Sequence, residues 1–163
     1  MILIMGVSLY TSRVVLNILG VEDFGIYNIV GGVVVLFSYL NSAMTISTQR
    51  FLSFEIGRKN LDGLSNIFNM GLNIHLIFTF AFILIAETVG LWFVNFQLVI
   101  PDDRLYAAGI VYQFSVLSTA INILTIPYTS IIIAYERMNV FAYFSIIESI
   151  LKLLIVFLLT INI

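Results

Sequence analysis

Cysteine is absent from this 163-residue chain. That excludes disulfides, thiolate metal sites and thiol nucleophiles together, and leaves the redox compartment open. Charge is nearly as scarce. Asp, Glu, Lys and Arg make up 10% of the residues, against roughly 25% in a soluble globular domain. A net charge of only -2 provides no basic surface for nucleic acid, which is not an expected partner. The single histidine, His75, has no second ligand near it in sequence, so a metal site is not expected. No glycine-rich phosphate loop, His/Asp/Glu cluster or Ser-His arrangement occurs. Neither an enzyme nor a bound cofactor is therefore expected.

What the chain has in abundance is apolar surface: 61% of its residues are hydrophobic and its mean hydropathy is +1.09. So few charges cannot cover a soluble surface, and a lipid bilayer is the natural solvent. A membrane helix needs ~20 mostly apolar residues. Five stretches qualify or nearly do: 1–19, 25–48, 66–96, 105–134 and 140–163. The expected fold is an all-α, polytopic transmembrane bundle forming one domain. Barrel strands would alternate polar and apolar residues, and these runs do not. A tight break is expected over Gly20–Gly25, and a polar segment over Gln49–Ser65. Within it, Phe51–Leu64 reads equally as an amphipathic stretch on the inner leaflet or as a solvated loop. Pro127 is expected to interrupt the fourth span near its end.

Loop charges orient the bundle. Arg50, Arg58, Lys59 and Arg137 lie in the second and fourth connections, and only Arg104 lies in the first and third. The first group marks the cytoplasmic side, which also puts the N-terminus in the cytoplasm. Trp92 and Phe93 then fit an outer aromatic belt. The first residues lack a basic region before the apolar run, so no cleavable signal is expected. The chain also ends in an apolar run, Leu153–Ile163. We expect a fragment of a longer protein.

Polar residues inside spans are costly and therefore informative. Gly6, Tyr10, Arg13 and Asn17 share one helical face. So do Ser38, Asn41, Thr45, Thr48 and Gln49. Asn69, Asn73 and Glu87 mark the third span, and Ser115, Ser118, Asn122, Thr125 and Thr129 the fourth. Such stripes either line a polar cavity or act as interhelical glue. Arg13 either snorkels to headgroups or presents a guanidinium fork to an anionic group. Glu148 and Lys152, four apart, form a favourable helical ion pair, either structural or lining a passage. Glu87 has no partner in its own helix.

Certain stretches resemble a known family. Ser12-Arg-Val-Val-Leu-Asn-Ile-Leu-Gly-Val-Glu-Asp-Phe-Gly-Ile-Tyr27 is similar to the first-hairpin signature of polysaccharide flippases in the multidrug/oligosaccharidyl-lipid/polysaccharide exporter superfamily. Ser47-Thr-Gln-Arg-Phe-Leu-Ser-Phe-Glu-Ile-Gly57, Ile126-Pro-Tyr128, Ile133-Ala-Tyr-Glu-Arg-Met138 and Phe141 through Glu148 to Lys152 resemble further segments of it. The resemblance implies part of the N-terminal lobe of a MATE-like flippase in the cytoplasmic membrane. Such a protein moves undecaprenyl-pyrophosphate-linked oligosaccharide outward for lipopolysaccharide or other surface polysaccharide synthesis. Its partners would be the bilayer, the lipid-linked oligosaccharide and the remainder of the transporter chain. The resemblance casts Arg13 and Arg50 as pyrophosphate contacts. Asn17, Asn41, Thr45, Gln49, Asn73, Glu87, Asn122, Glu148 and Lys152 complete the expected cavity set. Rival readings are a cation-coupled drug exporter of the same superfamily, a membrane polymerase with large outer loops, and a non-transporting assembly subunit.

Overall fold

A computed structural model describes the backbone of residues 2–35 and 38–161, and the side chains of 5–32 and 41–158. Every element among the described residues is helical. These are α1 (Ile2–Val35), α2 (Ser38–Gly57), α3 (Leu61–Ile85), a π-helical turn (Ala86–Gly90), α4 (Leu91–Phe96), α5 (Leu105–Ala134) and α6 (Met138–Ile161). Among the described residues, four helices are long and apolar enough to cross a membrane: Met5–Gly32, Leu61–Phe96, Leu105–Ala134 and Met138–Leu158. Large apolar side chains such as Met70, Phe80, Phe114 and Phe157 stand exposed on them. Such a surface suits lipid better than water and is consistent with a membrane protein.

The five expected spans differ from these four at the N-terminal end. The expected break over Gly20–Gly25 shrinks to one residue. Gly20 takes φ 79° and ψ 171°, outside the helical region, and helix resumes at once. Only glycine reaches that φ without steric penalty. The expected second span, 25–48, is divided between the end of α1 and the first half of α2, and crosses residues outside the described set. The polar segment 49–65 is mostly helix rather than loop. Here α2 continues to Gly57 and α3 starts at Leu61, five residues before the expected Asn66.

The corner between α2 and α3 is short because Asn60 closes it from both sides. Its Oδ1 accepts from the Gly63 amide at 3.1 Å, capping α3, and its Nδ2 donates to Glu55 Oε2 at 2.7 Å. An Asn cap of this kind contributes about 1 kcal/mol. The second corner, between α5 and α6, places Glu136 at φ 55°.

The chain divides into two compact units. One comprises the residues up to Ile26 together with those from Arg137 on; the other is Tyr27–Glu136. In the first, Lys152 Nζ meets Glu148 Oε1 at 2.7 Å, the expected pair one turn apart. Ser149, buried beside it, donates to the Ser145 carbonyl at 2.8 Å.

In the second unit α5 packs against both α2 and α3, which also pack on each other. The buried side of α5 repeats every three or four residues: Ala108, Tyr112, Val116, Thr119, Ala120, Ile123, Ile126, Pro127 and Ser130. Its partner stripe on α3 is Leu64, Gly71, His75, Thr79 and Phe82. The three helices meet at Gly71. A Cβ there would stand 3.6 Å from Thr48 Cγ2 and 4.0 Å from Pro127 Cβ. Pro127 is thus a packing surface inside an unbroken α5, not the interruption expected from its type. Phe68 and Tyr128 add an edge-on ring contact at 5.3 Å. Ser130 donates to the Thr45 carbonyl at 3.2 Å, tying α5 to α2. Bonds of this class average ~0.6 kcal/mol in lipid.

At the π turn the Leu91 amide donates to the Ala86 carbonyl five residues back, and the Tyr112 hydroxyl of α5 donates to the same oxygen at 2.7 Å. The same hydroxyl occupies the space a side chain at Gly90 would need. Gly90→Ala should therefore lower the melting temperature in detergent far more than Gly109→Ala, where a Cβ meets nothing within 4 Å. Tyr112→Phe should cost on the order of 1 kcal/mol through the lost bond. Adding Gly90→Ala to Tyr112→Phe should cost less than the sum of the two, because the obstructing oxygen is gone.

Candidate functional site

A cavity of about 630 Å³ lies within the Tyr27–Glu136 unit, between the last turns of α1 and the first half of α5. On α1, Tyr27, Asn28, Gly31 and Gly32 follow one another at helical spacing and line it. The two glycines leave the volume open. A Cβ at Gly31 would stand 3.8 Å from Ser115 Oγ across the gap, and one at Gly32 would meet nothing within 4 Å. On α5, Ser115, Ser118 and Thr119 supply hydroxyls, and Ile110 and Phe114 supply apolar wall.

The lining carries no Asp, Glu, Lys, Arg or His. Its polarity comes from neutral groups: two rows of hydroxyl and amide, and two aromatic rings. Ser115 donates to the Val111 carbonyl at 2.8 Å, so its oxygen lone pairs rather than its proton face a guest. This wall can hydrogen-bond a hydroxylated neutral molecule and stack against its apolar face. It has no group that would hold an anion by charge.

None of the expected cavity residues is among those lining it. Arg13 and Asn17 are exposed on α1 in the first unit, as are Glu148 and Lys152 on α6. Asn41, Thr45 and Gln49 are half-buried on α2, where Thr45 donates to the Asn41 carbonyl at 2.8 Å. Arg50 and Asn73 are exposed. Asn122 is exposed and donates to the Ser118 carbonyl at 2.9 Å. Glu87, partnerless in its own helix, accepts from Gln113 Nε2 of α5 at 3.1 Å. The side chain of Ser38 lies outside the described residues. From the stripe expected on the fourth span, Ser115 and Ser118 reach the cavity. Tyr27, Asn28 and the glycine pair were missed by sequence reasoning. The available signal was the Tyr27–Gly31 and Asn28–Gly32 spacing within a helix. Among the described residues, no three His, Cys, Asp or Glu side chains converge to hold a metal ion.

No family model, curated protein or solved structure matches the chain.

The cysteine-free background permits a direct probe of this cavity. Single thiols introduced by Ser118→Cys or Asn28→Cys should react with a charged, water-soluble methanethiosulfonate. Ala120→Cys, on the buried side of α5, should stay unlabelled under the same conditions. Absence of labelling at both Ser118→Cys and Asn28→Cys would show that the cavity is not wetted.

Proposed function

We propose that this chain is part of a cytoplasmic-membrane transporter that moves lipid-linked oligosaccharide outward for surface polysaccharide synthesis. The reading places it in the N-terminal lobe of a MATE-like flippase, with its N-terminus in the cytoplasm. The observation that carries it is the neutral polar cavity. The sequence stretch that most resembles the flippases ends at Tyr27, and Tyr27 opens the row of α1 residues lining that cavity. A saccharide needs hydroxyl and amide partners and an aromatic face, and the lining has all three. A cation-coupled drug exporter would need acidic groups there, and this lining has none.

In this mechanism the sugar occupies the cavity while the prenyl chain stays in lipid. The pyrophosphate requires cations, and Arg13 and Arg50 are the proposed ones, because a guanidinium fork matches phosphate oxygens. Transport follows only if inward- and outward-open forms bind the cargo differently.

The test is genetic. The full-length gene expressed in a flippase-deficient strain should restore surface polysaccharide. Arg13→Ala should reduce that restoration strongly, and so should Ser118→Leu, which replaces a cavity hydroxyl with bulk. Failure of the unmodified gene removes the transport reading. Full activity of Arg13→Ala removes the proposed pyrophosphate contact.

A further inference from the structure

The chain's one histidine lies about 21 Å from the start of α3, at 1.5 Å per residue, well inside the Leu61–Phe96 span. His75 is 2% exposed. Its Nδ1 stands 2.7 Å from the Gly71 carbonyl oxygen. A carbonyl can only accept, so Nδ1 carries the proton and donates it. In the neutral ring Nε2 is then a bare acceptor. Nε2 is buried and has no hydrogen-bond partner. Buried acceptors are normally satisfied, and an exception calls for an explanation.

On this side of α3, α2 and α3 flank a half-open cavity of about 360 Å³ that His75 helps to line. Its wall is built largely from Met44, Phe51, Met70 and Phe78, with the hydroxyl-bearing Ser47 and Thr48 beside them. At ~30 Å³ per water-sized group the volume holds roughly a dozen non-hydrogen atoms. No Asp, Glu, Lys or Arg lines it.

We propose that this cavity is a binding site for a membrane-soluble alcohol, whose hydroxyl donates to His75 Nε2 while its chain lies against the methionine and phenylalanine side chains. The chemistry selects this class. The free nitrogen needs a donor, which excludes ethers and esters. An ammonium would enter without a counter-charge. The wall is mainly thioether, aromatic and aliphatic, with hydroxyls at Ser47 and Thr48, so an alcohol that carries an apolar chain fills it more fully than water does. Nε2 is shut off at rest, so the guest must displace a neighbour. Met44 and Met70 are the flexible side chains able to yield. The proposal does not depend on the transport reading, since it concerns a different cavity and different residues.

One histidine means one imidazole signal. The chain is labelled with ¹⁵N-histidine and placed in phosphatidylcholine nanodiscs. Before addition, Nδ1 should read as protonated and Nε2 as unprotonated. Titration with 1-dodecanol should move the Nε2 signal upfield and saturate. Dodecyl methyl ether, of similar shape but without a donor, should leave it in place. His75→Phe should retain helix content and bind dodecanol about tenfold more weakly, the loss expected for one buried hydrogen bond. Equal shifts with alcohol and ether would overturn the proposal. So would an Nε2 signal already hydrogen-bonded and unmoved by alcohol, which would mean that water or protein meets it. Undiminished dodecanol binding by His75→Phe would overturn it as well.

Discussion

A hydroxyl held among apolar helices has a near partner in the carbonyl one turn back on its own helix. That constraint organises the polar content of this chain. Thr45, Thr79, Thr88, Ser115 and Ser149 each donate to the carbonyl four residues before them. Their protons are thereby used locally. Contacts between helices fall to groups that reach further, among them Ser130 to the Thr45 carbonyl, Tyr112 to the Ala86 carbonyl and Gln113 to Glu87. The first two bind backbone rather than side chain, so each requires its helices to approach closely. Gly71 and Gly90 permit that approach by bringing no side chain of their own.

The helical class and the apolar spans were legible because composition and run length alone dictate them. A chain this poor in charge has few ways to satisfy its backbone other than helix. The Glu148–Lys152 pair was legible for the same local reason, since spacing along one helix settles it. Boundaries were harder to read. The polar residues of 49–65 left an amphipathic stretch and a loop equally open; Asn60 satisfies both Glu55 and the start of α3, so helix runs almost to the corner. Gly20 and the acidic residues after it suggested a turn of several residues, whereas one glycine at positive φ suffices. Pro127 suggested a break because its missing amide is visible in sequence. The glycine on another helix that accommodates it is not.

The site was legible only in part, because a polar stripe does not reveal which neighbour it faces. Ser115 and Ser118 were marked on the fourth span, and they do line a cavity. What they face, Tyr27 through Gly32, follows from the pairing of helices far apart in sequence. Glycines contribute to that cavity by having no side chain, which no search for functional groups would detect. His75 was set aside as a lone imidazole. Its interest lies in one nitrogen being occupied by its own helix and the other being left over, a distinction that only coordinates make.

The π turn also sets an angular register. Down the rod the inward positions run Phe82, Ala86, half-buried Gly90 and buried Val94. At 3.6 residues per turn each four-residue step overshoots by about 40°, so two would swing the face by about 80°. The wider turn takes up more residues per revolution and absorbs much of that swing. Val94 therefore stays in line with Ala86, while Trp92 and Phe93 remain on the outside. The turn works as a gear with one extra tooth. Removing a single residue from 86–90 would let the segment close to an ordinary helix in which Ala86 and Val94 stand seven residues apart, about 20° short of two full turns; the inward face would survive the deletion, while the acceptor geometry that Tyr112 uses would not.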